Sequence, residues 1–157
     1  MKYFCSKKWN GIMKLLDVNI WIALSVDTHG SHRAALDWFT EQKKTSSLHF
    51  CRATQQSFIR LITTAAVMRG YGYEPYSNLR AWSAYQEFLA DPRIIFAPEP
   101  ADLEETWKSF ALRKTPSPKL WMDAYLAAFA VRSGFQLVTT DKAFSQFKGI
   151  NVRVLGD

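Results

Sequence analysis

Three aspartates stand out by where they fall in the chain. Asp17 follows the apolar run "MKLL", Asp141 follows "FQLVTT", and Asp123 lies near the start of a long apolar stretch, "LWMDAYLAAFAVRSG". One account of each is local. Aspartate is favoured at helix starts because it accepts from orphan N–H groups and faces the positive end of the helix dipole. The other account is collective. Carboxylates brought together repel and raise one another's pKa values, and a hard divalent cation relieves that repulsion. Mg²⁺ prefers oxygen ligands, keeps several waters, and usually takes one or two carboxylates plus a substrate phosphate. The chemistry such a cluster supports is attack by water on a phosphodiester. The choice between the two accounts turns on whether the fold carries the three to one place.

The elements that must position them follow from periodicity. "MKLLDV" reads as a short buried strand and "NIWIAL" as the first turns of a helix. "SHRAALDWFTEQKK" is an amphipathic helix with Ala35, Trp38 and Phe39 on one face. "SLHFC" is a second strand, and "ATQQSFIRLITTAAVM" a helix carrying Phe58, Leu61, Ile62 and Ala65, ended by Gly70 and Gly72. "SNLRAWSAYQEFLA" places Leu79, Trp82, Tyr85 and Leu89 on one helical face. A strand in "DPRIIFAPEP", a helix in "ADLEETWKSFAL" and a break at "KTPSP" precede the long helix. "FQLVTT", the short helix "DKAFSQF" and the strand "INVRVL" complete the chain. Strands alternating with helices argue for an α/β fold whose parallel sheet is covered on both faces. Ligands of such folds sit beyond the carboxyl ends of the strands, where Asp17 and Asp141 are expected.

At 157 residues, with six Trp and eleven Phe, the chain has material for one domain with a sizeable core. The opening "MKYFCSKKWNGI" lacks a clear period and an apolar signal region, whereas Met13 begins a clean strand pattern. Residues 1–12 are read as an N-terminal extension, whether loose or packed on the domain, and residues 13–157 as the domain proper. Cys5 and Cys51 show no disulfide or zinc spacing, which suits a reducing cytoplasm. No apolar run approaches the roughly 18 residues that would cross a bilayer. A net charge of +6 favours polyanionic partners. His29, His32 and His49 form no metal-binding spacing; His32 is read as helix packing and the other two as surface or edge residues. The acidic run from Glu99 to Glu105 is read as the solvated start of a helix.

The motifs "LLDVNIWIAL", "TQQSFIRL", "MDAYLAAFA" and "LVTTDKAF", in this order from Met13 to near the end of the chain, resemble the PIN-domain ribonucleases, and within them the VapC-type toxins of bacterial toxin–antitoxin modules. The resemblance implies a three-layer α/β/α fold with a central, mainly parallel sheet and a Mg²⁺- or Mn²⁺-dependent endoribonuclease site. It further implies an RNA substrate, a cognate antitoxin and a homodimer. By motif, Asp17 and Asp123 would be the principal metal ligands and Asp141 a further ligand, direct or through water. Asn19 and Thr139 would orient carboxylates or a metal-bound water from behind.

One departure stands at Gln55, where related toxins carry a glutamate. Gln55 either touches the metal or its water through a neutral carbonyl, or hydrogen-bonds a neighbouring carboxylate. Arg60 neutralises the acidic cluster, holds a phosphate bidentately, or forms a structural ion pair. Two alternatives stay open beside the nuclease. One is a PIN-like module that binds RNA or a partner without cutting, because Gln55 replaces an acid; the other is a different phosphohydrolase on a doubly wound sheet.

Overall fold

The computed structural model describes residues 11–156, so the extension read at residues 1–12 lies, apart from Gly11 and Ile12, outside the described residues. In chain order the elements are β1 (Met13–Leu16), α1 (Val18–Ser25), α2 (His32–Thr40), β2 (Ser47–Phe50), α3 (Arg52–Ile62), α4 (Ala65–Gly70) and α5 (Asn78–Leu89). These are followed by β3 (Ile94–Phe96), α6 (Leu103–Ala111), α7 (Leu120–Ser133), β4 (Gln136–Thr139), a 3-10 helix (Lys142–Gln146) and β5 (Val152–Val154). Among the described residues, no helix is long and apolar enough to cross a membrane.

The sheet runs β3-β2-β1-β4-β5, and every neighbouring pair is parallel. The chain builds outward from β1 to β3, then returns to lay β4 on the other side of β1. That reversal opens a crevice at the carboxyl ends of β1 and β4, because the connections leaving the two strands diverge.

Successive strand residues point to opposite faces, so each strand feeds two cores. Leu16, Leu48, Phe50 and Val138 pack on one face against Trp21 of α1, Phe58 of α3 and Tyr85 of α5. The Trp21 and Phe50 rings lie stacked with centroids 3.7 Å apart. Leu15 and Leu137 pack on the other face against Leu103 of α6 and the alanine-rich α7. Small alanines let α7 lie close to the sheet, and Gly134, with φ of +66°, ends it in a left-handed turn. The result is the expected three-layer α/β/α arrangement.

Three local expectations are corrected. The helix expected through "ATQQSFIRLITTAAVM" divides into α3 and α4 at Thr63 and Thr64. The Thr63 hydroxyl donates to the Ile59 carbonyl at 3.0 Å and the Thr64 hydroxyl to the Arg60 carbonyl at 2.6 Å. Two β-branched hydroxyl residues in succession thus bond back onto the preceding turn, and Thr64 turns extended. On α5, Leu79 is 81% exposed and Trp82 about half exposed, while Ala81, Ala84 and Tyr85 are buried. The small alanines allow close approach to the core, and the larger side chains stay on the outer face. His49 is buried instead of lying at an edge: its ring stacks on Phe135 and hydrogen-bonds Ser47 and the Lys14 carbonyl.

Candidate active site

β1 delivers Asp17 to the crevice. The Asp17 N–H still donates to the Val138 carbonyl of β4 at 2.9 Å, which ties the residue to the sheet as the backbone turns into α1. Asp17 occupies the N-cap position, yet its carboxylate makes no capping hydrogen bond. Its Oδ2 accepts instead from the hydroxyl of Thr139 at 2.8 Å. That hydroxyl, fully buried, also accepts from the N–H of Asp141 at 3.0 Å. Thr139 therefore links the ends of β1 and β4 through one oxygen.

Asp141 begins the 3-10 helix, and its Oδ1 accepts from the Ala143 N–H at 2.8 Å. Its Oδ2 accepts from Lys119 Nζ at 2.9 Å. The same ammonium is 3.9 Å from Oδ2 of Asp123, one turn further along α7. One cation thus reaches two of the three carboxylates, which places them on one cleft.

Burial decides the electrostatics. The Asp17 carboxyl is pushed up to about 6, chiefly because it is removed from water; the Thr139 hydroxyl and the Val18 N–H oppose this, and repulsion from Asp123 and Asp141 adds to it. Burial also raises Asp123, with Lys119 pulling the other way. Asp141 is lowered, first by the Lys119 hydrogen bond and then by the Ala143 N–H.

Asp17, Asp123 and Asp141 line the cleft together with Asn19, Ser57, Arg60 and Met122. Gln55 lies outside that lining. It is buried, and its carbonyl accepts from Arg52, whose guanidinium lies over the Phe96 ring at 4.6 Å. α3 therefore turns Thr54, Ser57 and Arg60 to the cleft and Gln55 toward β3. Sequence reading passed over Ser57 and Lys119. Lys119 had a legible sign, its position four residues before Asp123, the spacing at which oppositely charged side chains meet on a helix.

Among the described residues, no three His, Cys, Asp or Glu side chains stand close enough to enclose a cation by themselves. The donor set suits the open kind of site, in which a hard cation takes one or two carboxylates and fills its remaining positions with water and phosphate. A buried carboxylate with only one side-chain donor and an elevated pKa is the observation that fits such an ion.

An all-parallel sheet with its acidic cleft at the reversal between β1 and β4 defines a doubly wound α/β protein with three carboxylates on one cleft. The PIN domain family model matches residues 14–150, and the chain belongs to the PIN-domain family. It is 52% identical over 144 residues to Ribonuclease VapC41 of Mycobacterium tuberculosis, an alignment spanning 91% of this chain and 99% of the relative. Among solved structures, VapBC2 from Rickettsia felis bound to a promoter DNA fragment superposes with a TM-score of 0.66 at 12% identity, covering 92% of this chain and 100% of that one. VapC20 of Mycobacterium tuberculosis, a sarcin–ricin loop cleaving toxin, superposes with a TM-score of 0.64 at 18% identity, over 89% and 98% of the two chains. At these identities the likeness to the solved structures is one of fold.

Proposed function

We propose that this chain is a divalent-metal-dependent endoribonuclease acting as the toxin of a toxin–antitoxin pair. The observation that carries the reading is the buried Asp17 carboxylate, left with a single side-chain donor and facing a cleft shared with Asp123 and Asp141. Family membership and the relative named as a ribonuclease support it. Asp17 and Asp123 hold the metal, with Asp141 a further ligand. The ion is Mg²⁺ or Mn²⁺; when bound, it lowers the pKa of a coordinated water and stabilises charge on the phosphate oxygens.

The chain's own part is positional. Thr139 fixes the Asp17 oxygen on one side and the Asp141 backbone on the other, so the carboxylates keep their spacing as charge enters the cleft. Asn19 orients a carboxylate or water from the first turn of α1. Arg60, reaching from α3 to the same cleft, offers a planar fork to a phosphate of the RNA strand. The non-cleaving alternative has its premise in Gln55, and that side chain is engaged with Arg52. The same proposal places the working domain at residues 13–157, beginning where β1 pairs with β2. It assigns a cytoplasmic location, a homodimeric state and neutralisation by a small antitoxin, a partner that accords with neighbours solved as VapBC.

Purified protein with Mg²⁺ or Mn²⁺ is expected to cut RNA, to stop on chelation of the metal, and to lose activity in Asp17→Asn and Asp123→Asn. Wild-type rates in both variants would overturn the assignment of the site.

A further inference from the structure

The Lys119 side chain is 74% exposed, whereas the two carboxylates it reaches, Asp123 and Asp141, are 16% and 26% exposed. The ammonium therefore enters the cleft from solvent, and a side chain so exposed can leave at little packing cost. Its partner oxygen also matters. Oδ1 of Asp141 accepts from the Ala143 N–H at the start of the 3-10 helix, and Oδ2 accepts from the Lys119 ammonium at 2.9 Å, so the carboxylate's charge is already matched by a cation. A divalent cation ligated by Asp141 and the Lys119 ammonium thus repel one another and compete for the same carboxylate charge. The backbone of Lys119 immediately precedes α7, while Arg60 lines the same cleft from α3. A lysine released from Asp141 would stay at the cleft's rim, where it and Arg60 flank the path of an anionic strand.

We propose that Lys119 is a tethered counter-cation of the metal site: it neutralises Asp141 and Asp123 in the metal-free protein, is displaced when a divalent ion enters, and then binds a phosphate of the RNA. This rests on the metal-site reading given above. It makes Lys119 an inhibitor of metal entry and a ligand of substrate at once, so one substitution must move the two affinities in opposite directions.

The test uses the full chain, with Mn²⁺ binding followed by calorimetry and binding of an oligonucleotide whose 3′ bridging oxygens are replaced by methylene, which water cannot cleave, followed by fluorescence anisotropy across a salt series. Lys119→Met is expected to bind Mn²⁺ about 2–5-fold tighter, the range spanned by an exposed ion pair. In Mn²⁺ it should bind the oligonucleotide several-fold more weakly, with the salt slope reduced by about one. Lys119→Arg should keep both affinities near wild type. Unchanged or weaker Mn²⁺ binding by Lys119→Met, or an unchanged affinity and salt slope for the oligonucleotide, would overturn the proposal. A lysine with only a structural role would shift both affinities the same way. If wild-type protein binds no Mn²⁺, the metal-site reading fails; if wild type binds it and only the Lys119→Met expectations fail, that reading stands and this inference alone falls.

Discussion

Two aspartates drawn from water, Asp91 and Asp17, have opposite fates. Asp91, in the turn before β3, is saturated by Arg93. The guanidinium donates to Oδ1 at 3.0 Å and to Oδ2 at 2.6 Å, and the Arg93 N–H donates to Oδ1 at 2.9 Å. The same Arg93 donates to the Phe39 and Gln42 carbonyls at 3.2 and 3.1 Å and lies 4.3 Å from the centre of the Phe39 ring. It ties the end of α2 to the start of β3, and its hydrogen bonds hold the Asp91 carboxyl below the usual carboxylate range. Asp17 is more deeply buried and, among the described residues, receives one side-chain hydroxyl and forms no ion pair, with Lys119 acting on it only from a distance. A carboxylate whose charge the protein itself balances serves the fold. One whose charge the protein leaves unbalanced weakens the fold and is available to a cation from outside.

The widest separation between the two is expected from Asp17→Asn. It should remove RNA cleavage by more than the roughly 10–100-fold typical of a residue behind a metal ligand. The metal-free variant should nevertheless be more stable than wild type at pH 7, by about 1–3 kcal/mol, because a buried charge has been removed. Urea unfolding with chelator present reads the second effect; a less stable variant would break the contrast. Thr139→Val, which deletes the hydroxyl shared by Asp17 and Asp141, should lower metal affinity and cleavage by about 10–100-fold, measured by calorimetry and single-turnover kinetics.

Arg93→Ala should do the reverse. It should destabilise the protein by about 2 kcal/mol, less than for a fully buried pair, and leave cleavage per folded molecule unchanged.

The two aspartates also predict opposite pH dependences. Asp17 has its ordinary value near 3.8 in the unfolded chain and about 6 in the folded one, so the folded state binds more protons between those values. Its contribution to metal-free stability is fully present below 3.8 and is lost as pH rises through about 6. Asp91 is shifted downward, so its contribution is present above its unfolded value of about 3.8 and is lost as pH falls through its lower folded value. Thermal unfolding across pH 3–8 should show both trends, with Asp17→Asn flattening the first and Arg93→Ala the second. The smallest effect belongs to Gln55→Glu. The new carboxylate meets Arg52 rather than the cleft, and metal affinity should change less than about twofold, within the range of a local ion pair.

Much of this was legible beforehand because the residues concerned lie at element boundaries. Periodicity and breakers located β1, α7, β4 and the 3-10 helix closely, and with them Asp17, Asp123 and Asp141. Gln55 and Lys119 were less legible. Gln55 lies next to Thr54 and two residues before Ser57, and a helix turns each successive residue by about 100°, so neighbours face different partners. The Gln55 side-chain carbonyl is taken by Arg52, three residues earlier on the same helix. Lys119 lies between the break "KTPSP" and the long helix, and its partner Asp141 is 22 positions away. On α5, periodicity alone placed Leu79 and Trp82 inward, because it cannot say how closely a helix will approach its neighbours.

The sequence by itself determined which elements form and in what order. Strand and helix periods, caps and breakers act over a few residues, and so it put an aspartate at the end of β1, another at the end of β4 and a third at the start of α7. Only the tertiary structure decided that these ends meet. The strand order that sets β4 beside β1 depends on contacts more than 100 residues apart, the Thr139–Asp17 bond spanning 122 of them. Whether a carboxylate is a cap, a structural partner like Asp91 or a charge left open like Asp17 depends on which donors reach it: Arg93 reaches Asp91 from two residues away, whereas Thr139 reaches Asp17 only through the fold.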